Sequence, residues 1–220
     1  CQAFLHIMEV ANIPFTLMHP EEWCCGSVAF RTGVRSLAEK LALHNFKALK
    51  EAEAKTVITH CAGCYRTLKM DYPEILGEMP FQILHSSEFI SRLLNEGKIK
   101  FKEEFNARVT YHDPCHLGRH TGVYEPPREI LKQIPGLELV EMKRNRHYSY
   151  CCGGGGGLRS AFPELSLKMA AERVLEAEET GAEYLVTACP FCVLNLREGA
   201  KKVNSKIKVY DFLEILARVV

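Results

Sequence analysis

Pairs of cysteines recur in a fixed order along this chain, and that recurrence limits its possible folds more than any other feature. A displacement of 127 positions lays Trp23-Cys24-Cys25-Gly26 on Tyr150-Cys151-Cys152-Gly153. One of 128 lays Val57-Ile58-Thr59-His60-Cys61-Ala62-Gly63-Cys64 on Leu185-Val186-Thr187-Ala188-Cys189-Pro190-Phe191-Cys192. One of 126 lays Leu84-His85-Ser86-Ser87-Glu88 on Tyr210-Asp211-Phe212-Leu213-Glu214. Three blocks in one order, with offsets within two residues, mark a tandem duplication. Copy one is expected over residues 1–98 and copy two over 107–220, with the charged stretch Asn95–Asn106 as a solvated linker.

Within each copy, short β-branched runs alternate with longer amphipathic ones. Val57–Thr59 and Tyr184–Thr187 are expected as buried strands, and so are Phe15–Leu17, Arg108–Tyr111, Leu137–Val140 and Ile207–Tyr210. Val34, Leu37, Ala38, Leu41, Ala42, Phe46 and Leu49 trace one helical face. In copy two Leu167, Ala170, Ala171, Val174 and Ala177 trace another, opened by Pro163 and closed by Gly181. The alternation predicts an α/β fold, each copy a small parallel sheet with helices on both faces. Every cysteine motif then follows a strand and precedes a helix. Ligands of such sheets gather beyond the carboxyl ends of the strands. Cys115, Cys151, Cys152, Cys189 and Cys192 are therefore expected at one rim, and Cys24, Cys25, Cys61 and Cys64 at another.

Copy one also departs from copy two. Cys115 stands 36 positions before Cys151, which places its counterpart about a dozen residues ahead of Cys1. Cys1 is only 23 positions before Cys24 and reads as a bystander in a helix carrying Phe4, Ile7 and Met8. Copy one is thus expected to lack its first strand and its first motif cysteine. The alternative is a divergent copy that never had them.

Ten cysteines in 220 residues are too few for a disulfide scaffold, and a chain of this length buries enough core to need no staples. Metal or redox thiols in a reducing, cytoplasmic setting are the better reading. With 28 Lys+Arg against 27 Asp+Glu, the chain has no field that would draw nucleic acid or anionic lipid. No apolar run approaches the ~18 residues of a membrane span.

Five thiolates are one too many for a tetrahedral zinc site, although Cys-x-x-Cys is a common zinc half-motif. They are also one too many for an ordinary cubane cluster. A vicinal Cys-Cys suits a larger object holding several metals, so iron–sulfur leads and structural zinc stays open, at copy one in particular. Five consecutive glycines, Gly153–Gly157, fail the nucleotide-loop spacing because position 158 is Leu. They suit a backbone passing close to a bulky anion with N–H groups aimed at it, or a flexible surface loop.

The spacing Cys115-x35-Cys151-Cys152-Gly153-x35-Cys189-x2-Cys192, with Tyr111-His112-Asp113-Pro114-Cys115-His116-Leu117-Gly118-Arg119 ahead of it, resembles the cysteine-rich Cys-Cys-Gly domain of heterodisulfide reductase catalytic subunits and related iron–sulfur oxidoreductases. The resemblance covers nearly the whole chain. It implies a noncubane [4Fe-4S] cluster held by all five cysteines of a complete copy, and two clusters that face each other and reduce a disulfide in one-electron steps. Copy one, without its first ligand, departs from the pattern. The implied partners are other redox subunits, namely a flavoprotein, a ferredoxin-type subunit or a haem membrane subunit, together with a small-molecule disulfide or electron donor. A partner subunit would place the chain at the inner face of the membrane. His60, His112, His116 and His120 near the motif loops are candidate proton donors, or ordinary hydrogen-bonding histidines. Two further functions stay open: an electron-transfer subunit of a flavin-dependent glycolate, lactate or glycerol-3-phosphate dehydrogenase complex, and a zinc-stabilised interaction module without redox chemistry.

Overall fold

In the computed structural model, which describes residues 2–18 and 20–220, copy one begins with α1 (Gln2–Val10), α2 (Ser27–Thr32) and α3 (Arg35–Glu51). It continues through β1 (Thr56–Thr59), α4 (Ala62–Arg66), a π-helical segment (Thr67–Asp71), α5 (Tyr72–Leu76), β2 (Gln82–His85) and α6 (Ser86–Asn95). Copy two runs β3 (Ala107–His112), α7 (Glu125–Gln133), β4 (Leu137–Val140), α8 (Leu158–Ala161), α9 (Pro163–Glu178), β5 (Tyr184–Thr187), α10 (Pro190–Lys202), β6 (Lys208–Asp211) and α11 (Phe212–Val219). The expectation for Cys1 lies outside the described residues.

All strand pairs are parallel. Copy two forms a four-stranded sheet in the order β4-β3-β5-β6, and copy one pairs β1 with β2. Leu185, Val186 and Thr187 point to alternate faces of β5, and each is fully buried. Cover on both faces is what a parallel sheet requires, and it explains why β5 reads as a continuous apolar run.

Several expectations need correction. Phe15–Leu17 is not a strand, and Phe15 and Leu17 are largely exposed. Among the described residues β4, which holds the matching place in the order of copy two, hydrogen-bonds only to β3, and copy one offers no counterpart of β3. Without a neighbour, an edge segment has no ladder to join. In the same way, the Cys24-Cys25 pair follows coil rather than a strand, and Cys115 enters a run of turns rather than a helix. Gln82–His85 forms a strand that its composition does not announce, because half of its four residues are polar. The buried face of α3 is Ala38, Ala42, Asn45, Ala48 and Leu49, while Val34 and Leu37 face solvent. With a displacement of 128, Ala38, Ala42, Asn45 and Leu49 fall on Ser166, Ala170, Arg173 and Ala177 of α9, all buried. The apolar count misplaced the face because this position carries a polar residue in both copies. The charged linker is not free either: Ile99 is buried, the Lys102 and Glu103 amides donate to Val219 O, and the Phe105 amide donates to Pro135 O.

The two copies meet as near-equivalents. By their order in the repeat α1 corresponds to α7 and α6 to α11, and the contacts formed are α1 with α11 and α6 with α7. This reciprocal pattern is that of an approximate two-fold interface built inside one chain. The helix starts repeat as well. His85 caps α6 with Glu88 returning to its backbone, and Asp211 caps α11 with Glu214 doing the same.

One cap differs in a way that titrates. The Ser87 amide donates to His85 Nδ1 over 3.2 Å, so Nε2 carries the proton and donates to His60 O over 2.9 Å. Burial first, and then the neighbouring His60 ring, hold His85 down to about 3 against a usual 6.5. Between those values the unfolded chain binds the extra proton. The stabilisation from this cap is therefore complete above pH 6.5 and is lost as pH falls towards 3, by up to ~1.4 kcal/mol per pH unit. Urea unfolding across that range should show the slope in the native chain and a shallower one in His85→Asn. Identical slopes in the two proteins would refute this assignment.

Candidate metal centre

Each Cys-x-x-Cys motif straddles a strand end and a helix start. Cys61 immediately precedes α4 and Cys189 immediately precedes α10, while Cys64 and Cys192 lie in the first turns. The Tyr65 amide donates to Cys61 O over 2.8 Å and the Val193 amide to Cys189 O over 3.0 Å, closing those turns. The pair of thiols is thus carried by the positive end of a helix, which favours thiolate.

The Cys-Cys pairs sit on loops braced by buried amides. Asn195 Nδ2 donates to Cys152 O over 2.6 Å, and Asn45 Nδ2 donates to Cys24 O over 3.1 Å. Tyr72 adds a hydroxyl bond to Cys25 O. Backbone amides of Gly153, Gly154 and Gly26 donate to the sulfurs of Cys151, Cys152 and Cys24 over 3.3, 3.4 and 3.5 Å. The glycines therefore do aim N–H groups at sulfur, but the close approach that demands glycine is to protein. Gly153 has φ +76°, and a Cβ there would lie 2.8 Å from Ser166 O. At Gly155 a Cβ would meet nothing. Gly153→Ala should cost at least the ~1–2 kcal/mol of a left-handed backbone, with the collision added, whereas Gly155→Ala should be nearly neutral. Thermal unfolding of the two variants side by side measures the difference, and equal midpoints would contradict it.

A network of buried charges ties the Cys115 loop to the Cys151 loop. Arg128, fully buried, grips Asp113 with Nη1 to Oδ1 at 2.6 Å and Nη2 to Oδ2 at 2.9 Å. Its Nε donates to Glu141 Oε1 over 2.6 Å. Asp113 Oδ2 also accepts from the Arg146 amide, and Asp113 O accepts from Ser149 Oγ. Arg119 bonds Ser149 O and His147 O. The motif His112 to Arg119 is thus mostly scaffold for Cys115.

All nine described cysteines line one cavity of about 860 Å³. Cys152, Cys189 and Cys192 are buried, Cys24 is exposed, and Cys25, Cys61, Cys64, Cys115 and Cys151 are half-buried. Cys152 and Cys192 approach to 3.2 Å. All of the nine but Cys24 fall into a string of neighbours, from Cys25 through Cys64, Cys61, Cys189, Cys192, Cys152 and Cys151 to Cys115. Cys61 and Cys189 are repeat equivalents, so the copies come together at matching thiols near the approximate two-fold. His60, one residue before Cys61, reinforces this contact with Nε2 at 2.5 Å from Asp211 Oδ2 and Nδ1 at 2.8 Å from Ser86 Oγ.

So many thiols in contact cannot all ionise. Hydrogen bonds from Cys115 and then Cys152 bring Cys151 down to about 2, and those from Cys189 and then Cys64 bring Cys61 down to about 2. Their partners go the other way: the bond to Cys151 pushes Cys115 up, and the bond to Cys25 pushes Cys64 up. An all-sulfur, partly buried donor set with this alternation fits a soft polycation, which would let every member ionise together.

The candidate histidines separate. His116 lines the cavity, and burial followed by the His120 charge lowers it below the usual histidine value. His120 packs edge-on against His116 and does not line the cavity. His60 is committed to the copy interface. His112 is fully buried, and burial followed by the Arg173 charge holds it down to about 3. Sequence reasoning missed Asn45, Ser166, Arg173 and Asn195, the polar residues that position these loops. Their signal was a polar residue at a core position of a helix. It also missed the apolar cavity wall of Leu17, Met18, Trp23, Val28 and Phe191.

Comparison with known proteins follows the same lines. Residues 2–69 and 109–197 each match the CCG family, described as a cysteine-rich domain. One subunit of the dihydromethanophenazine:CoB–CoM heterodisulfide reductase of Methanosarcina acetivorans is 44% identical over 216 residues, which is 96% of this chain and 53% of that protein. One subunit of the fumarate reductase (CoM/CoB) of Methanothermobacter marburgensis is 41% identical over 194 residues, 88% of this chain and 38% of that protein. The EtfAB:quinone oxidoreductase of Syntrophomonas wolfei is 32% identical over 224 residues, 98% of this chain and 31% of that protein. The chain spans about half the length, or less, of these curated relatives. Among the described residues no helix is long and apolar enough to cross a membrane.

Proposed function

The chain belongs to the cysteine-rich CCG domain family, and from that premise we propose that it is the iron–sulfur portion of an oxidoreductase of the heterodisulfide reductase type. Cys115, Cys151, Cys152, Cys189 and Cys192 would hold one noncubane [4Fe-4S] cluster. Cys24, Cys25, Cys61 and Cys64 would be ligands of a second, facing it across the Cys61–Cys189 contact. The observation that carries this reading is the convergence of all nine cysteines on one cavity. Bound there, the clusters would supply electrons singly to a two-electron disulfide.

The chain's own residues supply the surroundings. Leu17, Met18, Trp23, Val28 and Phe191 present an apolar wall that suits the alkyl arms of a small disulfide. His116, in that wall, is the ring placed to relay protons to the thiolates released. Likeness to the heterodisulfide reductase protein, which covers nearly all of this chain, supports the disulfide as substrate. The same likeness is the ground for proposing partner redox subunits and a cytoplasmic place, at the membrane only through a partner.

A second reading, an electron-transfer subunit serving a flavin-dependent dehydrogenase, is favoured by the likeness to the EtfAB:quinone oxidoreductase. Iron and sulfide analysis with low-temperature EPR comes first, and the expected result is iron with matching acid-labile sulfide. A colourless chain with stoichiometric zinc would end both redox readings. Disulfide reduction by the reduced protein, with a viologen as donor, then separates the two. Clusters that reoxidise with a quinone partner but never with a disulfide would favour electron transfer.

A further inference from the structure

One buried side chain at the carboxyl end of β3 is left unexplained by the five-cysteine ligand set. A ring nitrogen of His112 lies within 4.8 Å of Sγ of both Cys152 and Cys192. Proximity alone would suit an iron ligand as well as a hydrogen-bond donor. The hydrogen bonding of the two ring nitrogens decides between them.

Arg173 donates its Nε–H to His112 Nδ1 over 3.1 Å, and both side chains are fully buried. A guanidinium has donors only, so Nδ1 must offer its lone pair and the ring proton sits on Nε2. Nε2 is buried without a hydrogen-bond partner. A metal-bound histidine has the opposite arrangement, donating its second N–H to an acceptor. Arg173 cannot withdraw to permit that arrangement. Its Nη1 donates to Arg144 O and Glu176 Oε2, both at 2.8 Å, and its Nη2 to Ser149 Oγ at 3.2 Å. Glu176 is held in turn by the Arg144 amide over 2.7 Å.

We propose that His112 is not an iron ligand but a positioning residue whose free Nε2–H would donate to the cysteine sulfurs of the copy-two cluster once iron is bound, with Arg173 fixing its tautomer. The proposal rests on the cluster reading of copy two given above. A hydrogen bond to a cluster-bound sulfur strengthens as the cluster gains negative charge, so His112 raises the reduction potential. Copy one differs here, because Asn45 stands at the repeat position of Arg173 and donates to Cys24 O instead.

The test uses the iron-loaded protein. Pulsed EPR on the chain carrying 15N-labelled histidine should show only weak nitrogen coupling. Strong coupling of a directly bound imidazole would overturn the proposal without any variant having to fold. In EPR-monitored redox titration, His112→Leu should keep its iron and be about tenfold harder to reduce, about 59 mV for one electron. His112→Gln, whose amide can both accept from Arg173 and donate to sulfur, should recover most of that shift. An iron-replete His112→Leu with an unshifted potential would overturn the proposal and leave the cluster reading intact. A native chain without iron would overturn both.

Discussion

Replacing Cys189 by serine is expected to abolish the EPR signal of the copy-two cluster and to lower the iron content by one cluster. Cys189 is buried among sulfurs, with Cys192 on one side and Cys61 on the other. A serine hydroxyl is a hard ligand and ionises far less readily than a thiol, so it cannot take the same role towards soft metal ions. The fold should survive, because the backbone of Cys189 still closes the first turn of α10 through the Val193 amide and the hydroxyl is smaller than the thiol. Unchanged far-UV circular dichroism beside the lost signal would separate ligand loss from unfolding. The contact with Cys61 adds a second expectation, that the copy-one signal changes in shape although none of its own ligands has been altered. Cys24→Ser is the matched comparison: Cys24 is exposed and belongs to the other copy, so the copy-two signal should persist. A fully iron-loaded Cys189→Ser with a native spectrum would refute the ligand assignment.

Much of this site could be read from the sequence because the duplication supplies internal controls. Two Cys-Cys-Gly blocks and two Cys-x-x-Cys blocks in one order fix the register of the copies, and strands β1 and β5 follow from β-branched runs just ahead of Cys61 and Cys189. What stayed illegible was polar. Asn45 and Arg173 occupy core positions of α3 and α9, so an apolar count rotates the face of α3 outward. Strand pairing was the other limit. Phe15–Leu17 has the composition of a strand, but a strand exists only where a neighbour presents its edge, and composition carries no such information. The proximity of Cys61 to Cys189 was equally out of reach, since it depends on the helix pairs α1–α11 and α6–α7 bringing the copies together.

Asp113→Ala should destabilise the chain by about 1–3 kcal/mol, the usual cost of leaving buried donors without their acceptor. Arg128 is fully exhausted as a donor, with Asp113, Glu141 and Tyr124 O as its acceptors. Of its two carboxylate partners only Asp113 is buried, while Glu141 keeps a third of its side chain in solvent. Removing Asp113 therefore leaves one N–H of Nη1 and one of Nη2 without an acceptor in the interior, although Glu141 still holds Nε and Nη2, and it also strips the Arg146 amide of its acceptor. Because Asp113 precedes Pro114-Cys115 while its neighbour Ser149 precedes Tyr150-Cys151, the damage falls on two of the cluster loops at once. The expected record is a lower urea midpoint at unchanged slope, together with poorer iron retention. Asp113→Asn, which keeps one acceptor towards Arg128, should lose less. Glu125→Ala removes a largely exposed partner of Arg146 and should move the midpoint by under about 1 kcal/mol. If Asp113→Ala proved as mild as Glu125→Ala, the buried pair would not be what holds the Cys115 loop, and the scaffold reading of the His112–Arg119 motif would fail with it.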